Sequence, residues 1–102
     1  VPRERLVEFL ALVRRWLKPG GRFAFIDSRP DPSSGAADQP VTSAPEAAAG
    51  IERRRLADGR AFRVVKIRYD AAELEAALRA AGFETTEVTV TPRFFVLGTA
   101  VA

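Results

Sequence analysis

The sequence predicts an α/β fold in a single small domain, and three observations predict it. Two segments carry apolar residues at helical spacing, and each ends at glycine before a β-prone run. An Asp58-Gly59 turn signal joins two further β-prone runs, which predicts a hairpin. The chain has 102 residues, a length that accommodates one domain.

The first helix is predicted over residues 2–17 and the first strand over residues 22–27. The helix ends at Lys18-Pro19-Gly20-Gly21, where proline and glycine stop helical geometry. The strand is a continuous apolar run, which favours burial on both of its faces. The predicted core stripe of the helix is Leu6, Phe9, Leu10, Val13, Trp16 and Leu17.

A long loop or lid is predicted over residues 28–50, where proline, serine and alanine replace the apolar periodicity. We expect residues 30–48 to be the least ordered internal segment. The hairpin is predicted over residues 51–69, with residues 51–57 paired to residues 60–67 across a two-residue Asp-Gly turn.

The second helix is predicted over residues 71–81. Asp70 is its expected N-cap, and Glu73 completes a capping-box pattern in which each residue bonds the backbone of the other. Gly82 is the expected residue after the helix. Two strands, over residues 84–90 and 93–101, complete the chain.

Composition excludes several kinds of site. The chain has 16 Lys and Arg against 13 Asp and Glu, a net charge of +3, and neither Cys nor His. Thiolate nucleophiles, His-based triads and thiolate or imidazole metal ligands are therefore excluded, and we predict no metal site. The small net charge does not favour a nucleic-acid partner. No apolar run has the length of a membrane span and no targeting segment is visible, so we expect a cytoplasmic protein without a membrane partner.

In their order, these elements resemble the C-terminal half of a class I S-adenosylmethionine-dependent methyltransferase. Two motifs carry the resemblance: Leu17-Lys18-Pro19-Gly20-Gly21 before the first strand, and Leu78-Arg79-Ala80-Ala81-Gly82-Phe83 before the last two. The hairpin is similar to an insertion in one bacterial subset of that superfamily. The resemblance implies a Rossmann-like methyltransferase fold, C-terminal half only, in which residues 1–102 form a single partial domain. Its elements are helix, strand, inserted hairpin, helix and two strands, the last antiparallel.

The resemblance also implies S-adenosylmethionine as cofactor and a small molecule as methyl acceptor. The family binds its cofactor through a G-x-G loop after its first strand, and this chain contains no G-x-G. We therefore expect no cofactor-binding residue in this chain, and a longer parent protein whose preceding part supplies that loop.

Four residues are candidate substrate contacts: Asp27, Ser28, Arg55 and Tyr69. Asp27 and Ser28 end the first strand, and ligands of open α/β sheets bind beyond the carboxyl ends of strands. Arg55 belongs to a basic run with Arg53 that Lys66 and Arg68 extend. Each position also has a purely structural alternative. Asp27, at the strand end with Ser28, is a loop-capping carboxylate, Arg55 lies on a solvated hairpin edge, and Tyr69 is a hinge that packs before the second helix. No residue is assigned as a catalytic base, because methyl transfer from a sulfonium needs mainly alignment and exclusion of water.

Right-handed crossovers along a sheet that grows in one direction place both helices on one face. The other face is then bare, and we expect the missing N-terminal half, or a second copy, to cover it. We further expect the isolated chain not to bind S-adenosylmethionine. Two other functions stay open from sequence: a stand-alone binding or interaction module without catalysis, and a basic nucleic-acid module.

Overall fold

The computed structural model describes residues 1–29 and 43–102. The described residues fold into a mixture of helices and strands, which confirms the predicted α/β class at that level. After a short 3-10 helix (Arg3–Arg5), the elements are α1 (Leu6–Trp16), β1 (Arg22–Ser28), α2 (Ala44–Ala48), β2 (Ile51–Arg55), β3 (Ala61–Val65), α3 (Ala71–Ala80), β4 (Thr85–Val90) and β5 (Phe95–Val101).

The main sheet has three strands in the order β1-β5-β4. β5 runs antiparallel to both neighbours, so β1 and β4 are parallel to each other. Gly98, in the middle of β5, pairs with Phe25 of β1 on one side and Val88 of β4 on the other. The last strand of the chain therefore occupies the centre of this sheet.

Both α1 and α3 pack on the same face of the sheet, as predicted. One core cluster joins the buried side of each helix to the alternate β5 residues Val96 and Ala100. Phe23 and Phe25 of β1 pack against this cluster from the side. The buried members of the cluster are Leu6, Leu10, Val13, Tyr69, Leu74, Ala77, Leu78, Phe83, Val96 and Ala100.

Within this chain β1 is covered on one face only, as expected when both helices lie on one side of the sheet. Its burial alternates along the strand, and Ile26 is 68% exposed. Trp16, predicted in the core stripe of α1, is 70% exposed, and Phe9 is 38% exposed. Trp16 and Phe9 are exposed because the apolar stripe of α1 is wider than its contact with α3 and β5.

Gly98 is required by the packing of β1 against β5. A Cβ at this position would overlap the ring of Phe25, which lies directly across the strand pair. The aromatic ring thus occupies the place of a side chain on β5.

The predicted hairpin forms, as a separate two-stranded sheet of β2 and β3. Its paired strands, Ile51–Arg55 and Ala61–Val65, are shorter than the predicted 51–57 and 60–67, and Arg55 pairs with Ala61 rather than with residue 62. Its loop is longer than the predicted two-residue turn. The Gly59 N–H donates to the Leu56 carbonyl (2.9 Å) and the Leu56 N–H donates to the Arg60 carbonyl (2.8 Å). Gly59 has a φ of +89°. This is the pattern of a turn followed by a left-handed residue, for which glycine has no steric cost.

The predicted loop over residues 28–50 is shorter in the structure. Ser28 belongs to β1 and Ala44–Ala48 form a helix, while residues 30–42 lie outside the described residues. Residues 30–48 were expected to be the least ordered internal segment, and most of them lie outside the described residues. Across the described ranges, no helix is long and apolar enough to cross a bilayer.

The start of α3 confirms one half of the predicted capping box. Asp70 Oδ1 accepts a hydrogen bond from the Glu73 N–H at 2.8 Å. The Glu73 carboxylate does not return this bond. It accepts from Arg3 Nε at 2.7 Å, because the 3-10 helix before α1 brings a guanidinium within reach of it.

Candidate functional site

Asp27 and Ser28 are the last two residues of β1. Asp27 Oδ1 accepts a hydrogen bond from the Ser28 N–H at 2.7 Å, so one carboxylate oxygen caps the strand end. The next residue, Arg29, donates from its backbone N–H to the Phe94 carbonyl (2.9 Å) and from Nη1 to the Thr91 carbonyl (2.8 Å). These bonds hold the carboxyl end of β1 against the corner between β4 and β5.

Tyr69 is buried immediately before α3, with 3% of its surface exposed. Its hydroxyl donates to the Val1 carbonyl at 2.6 Å, and the Arg3 guanidinium lies 5.2 Å from its ring centroid. Arg3 also donates from Nη2 to the Arg68 carbonyl at 2.9 Å. Together with its bond to Glu73, Arg3 thus joins the 3-10 helix before α1, the segment after the hairpin and the start of α3.

Tyr69 lies at the same end of the sheet as Asp27 and Ser28. A short turn connects α1 to β1, so the two run in opposite directions and the start of α1 lies near the carboxyl end of β1. Burial raises the pKa of the Tyr69 hydroxyl, Arg3 opposes this shift, and the negative charges of Glu73 and Asp27 add to it. The carboxylate of Asp27 therefore acts electrostatically on the Tyr69 hydroxyl.

Arg55 lies at the tip of the hairpin. It is the last residue of β2 and pairs with Ala61 beside the hairpin loop, whereas the base of the hairpin is the pair Ile51 and Val65. Four residues of extended strand separate base from tip, roughly 13 Å. The structure thus brings Asp27, Ser28 and Tyr69 to one end of the sheet and places Arg55 at the hairpin tip.

Two glutamates that the sequence reasoning missed neutralise much of the basic hairpin. Glu52 accepts from Arg68 Nε at 3.0 Å and also pairs with Arg54. Glu46 of α2 receives Arg53 in a bidentate pair, Nε to Oε2 and Nη2 to Oε1, both at 3.0 Å. Arg68, which was predicted to extend the basic surface, is therefore neutralised by its ion pair with Glu52.

The environment of Glu46 favours its charged form. Its hydrogen bond with Arg53 lowers the pKa of the carboxyl, burial opposes this effect, and the Ser43 hydroxyl adds to the lowering. Glu52 had a sequence signal, because it precedes three arginines in a β-prone run. Glu46 had none, because it lies in a segment without periodicity.

A groove of about 630 Å³ lies on the sheet face opposite the helices. It contains the outward residues of all three strands, of which Glu87 is the one ionisable group. It includes neither Asp27 nor Tyr69, so it does not coincide with the carboxyl end of β1. The groove is therefore the uncovered face of the main sheet. The lining residues are Ala24, Phe25, Ile26, Glu87, Thr89, Leu97, Gly98 and Thr99.

Comparison with solved structures finds a close likeness to DhpI. Against the DhpI–SAH complex the TM-score is 0.68 with 30% sequence identity, covering 98% of this chain and 40% of that chain. Against the DhpI–SAM–HEP complex the TM-score is 0.71 with 29% identity, covering 98% of this chain and 44% of that chain. The chain therefore spans less than half the length of DhpI. No family model and no curated protein sequence matches the chain.

These matches confirm the resemblance indicated by the motifs before β1 and β4. SAM and SAH, the methyl donor and the product left after its methyl group is lost, are each named in one of the two complexes. The cofactor that the resemblance implies is thus the one bound by the structural neighbour.

Proposed function

We propose that this chain, which has the fold of part of an S-adenosylmethionine-dependent methyltransferase, is the substrate-side portion of such an enzyme. The observation that carries the proposal is the match of 98% of the chain to two DhpI complexes, one with SAM and one with SAH. An identity of 29–30% over nearly the whole chain supports a relation beyond shared architecture.

When bound, S-adenosylmethionine would supply an electrophilic methyl group on a sulfonium sulfur. A nucleophilic atom of the small-molecule acceptor would provide the electron pair of the new bond, while the electron pair of the old bond stays on sulfur and the acceptor's proton passes to solvent. Alignment of the two reactants and exclusion of water are the main requirements for this displacement.

We assign the acceptor side to Asp27, Ser28 and Tyr69. The carboxyl end of a strand is where ligands of open α/β sheets bind, and Asp27 and Ser28 end β1 there. Asp27 Oδ1 holds the Ser28 N–H, so Oδ2 is the oxygen we propose for orienting the acceptor. Tyr69 shapes the wall behind them, fixed by Val1 and Arg3. Arg55, at the hairpin tip, is retained as a proposed contact for the distal part of the acceptor.

The remaining part of the enzyme, in this proposal, covers the free sheet face and the second edge of β1. It supplies the cofactor loop that this chain lacks. Exposure of Ile26 on that face, and the groove around it, support the need for cover. Self-association of the chain through the same face is the other way to cover it.

The test is methyl transfer by the protein extended with the reading frame upstream of the Val1 codon. We expect a G-x-G loop after a strand in the added sequence, and SAH release that depends on an acceptor from a small-molecule panel. Asp27→Asn is expected to raise the KM for the acceptor more than the KM for the cofactor. Asp58→Asn, in the hairpin loop, is the matched control. An upstream frame without such a loop, or no SAH release with any acceptor, contradicts the proposal.

A further inference from the structure

Two arginines lie directly opposite each other on one face of the hairpin. Arg53 of β2 and Arg63 of β3 are cross-strand partners. Side chains at opposite positions of an antiparallel pair lie about 5 Å apart at Cβ, where like charges destabilise the pairing. An anion between the two guanidiniums removes this repulsion.

Glu46 of α2 supplies such an anion, but it satisfies the two arginines unequally. Its carboxylate makes the bidentate pair with Arg53, whereas Arg63 Nε lies 3.6 Å from Oε1, beyond hydrogen-bond distance. Two guanidiniums against one carboxylate leave one positive charge in excess. The acid is the less exposed partner, with 14% of its side chain accessible against 53% for Arg53 and 64% for Arg63.

We propose that the Arg53–Arg63 pair is a binding site for a dianionic oxyanion of the phosphate class, and that Glu46 occupies this site in the absence of the ligand. A dianion neutralises the two positive charges of the arginines, whereas one carboxylate neutralises only one of them. The tetrahedral oxygens of the dianion face both guanidiniums at once, and arginine forks pair with such oxygens bidentately.

The site does not rest on the proposed function, because it needs no cofactor and lies wholly in described residues of this chain. The test titrates inorganic phosphate at pH 8 into the 102-residue chain at constant ionic strength, with chloride as the reference anion. Resonances of the arginine Nε–Hε groups are followed by NMR. We expect saturable shifts of Arg53 and Arg63, and none at Arg79, which pairs with Glu75 on the surface of α3 at 2.7 Å.

Two substitutions separate the site from general charge attraction. Glu46→Gln removes the competing carboxylate and is expected to tighten phosphate binding about two- to fivefold, the range in which an exposed ion pair contributes. Arg63→Gln is expected to weaken phosphate binding by a similar factor. Glu75→Gln is the matched control, since it frees one arginine that has no cross-strand partner, and it should leave phosphate binding at the hairpin unchanged.

Phenyl phosphate, titrated in parallel, distinguishes a phosphoryl group on an organic ligand from free phosphate, and saturable binding of either probe at the pair supports the proposal. Equal shifts at Arg79 and at the hairpin pair would overturn it. An affinity that is the same in Glu46→Gln and the unmodified chain would overturn it as well.

Discussion

Gly98 and Phe25 together set how closely β1 and β5 pack under the helices. The ring of Phe25 occupies the place where a side chain at position 98 would lie. We expect Gly98→Ala to lower the free energy of unfolding by about 1–3 kcal/mol, because the added methyl forces the ring or the strand to shift. Urea denaturation followed by circular dichroism measures the change.

The control for this substitution is the neighbouring residue Thr99, which is exposed on the opposite face. Thr99→Ala is expected to change stability by much less. In the Phe25→Ala background the cost of Gly98→Ala should largely disappear, because the overlapping ring is gone. An equal cost in both backgrounds would show that the ring is not the cause.

Tyr69 gives the chain a predictable response to alkaline pH. Burial, the largest cause, raises the pKa of its hydroxyl above the ordinary value near 10. Above pH of about 10 the unfolded chain loses this proton first, so the folded state binds more protons and stability falls as pH rises through the folded pKa. Tyr69→Phe has no such proton. We expect it to lose less stability between pH 9 and about 11 than the unmodified chain, measured by thermal melts. An identical pH dependence in both proteins would contradict the assignment.

At the scale of elements, the start of α3 depends on one capping carboxylate. Asp70→Ala leaves the Glu73 N–H without its acceptor, and we expect the free energy of unfolding to fall by about 1 kcal/mol. Asp70→Asn keeps an acceptor oxygen and is expected to retain most of the stability. Chemical denaturation of the three proteins side by side measures this difference, and equal losses in both variants would contradict the capping role.

Elements with a local signal were predictable from sequence, and those set by distant contacts were not. The helices α1 and α3, the hairpin and the Asp70 cap follow from periodicity and turn residues in a few adjacent positions, whereas α2 was not predicted. The exposure of Trp16 depends on how wide a strip of α1 contacts α3, which no local pattern records. Glu46 reaches Arg53 only because α2 packs on β2. In the candidate site, the position of Asp27 and Ser28 at a strand end was predictable from sequence. The contacts of Arg3 with Glu73, Arg68 and Tyr69 were not, because they join residues about 65 to 70 positions apart in the chain.

At the scale of the whole molecule, the open face of the main sheet predicts association. Ile26 of the edge strand β1 lies on this face opposite Leu97 of the central strand β5, and exposed apolar surface of this kind is an association site. We expect the chain to self-associate with rising concentration, and Ile26→Lys to shift it towards monomer in analytical ultracentrifugation. Val65 is exposed to the same degree, 72% against 68% for Ile26, but lies on the hairpin. If Val65→Lys shifts the association as strongly, the sheet face is not the interface.

The central claim is that this chain is one part of an S-adenosylmethionine-dependent methyltransferase whose cofactor loop lies elsewhere in the protein. Titration calorimetry with S-adenosylmethionine tests it most directly, on the 102-residue chain and on the protein extended through the upstream reading frame. We expect saturable micromolar binding by the extended protein and none by the 102-residue chain. Saturable micromolar binding of the cofactor by the monomeric 102-residue chain, or no binding by the extended protein, would contradict the claim.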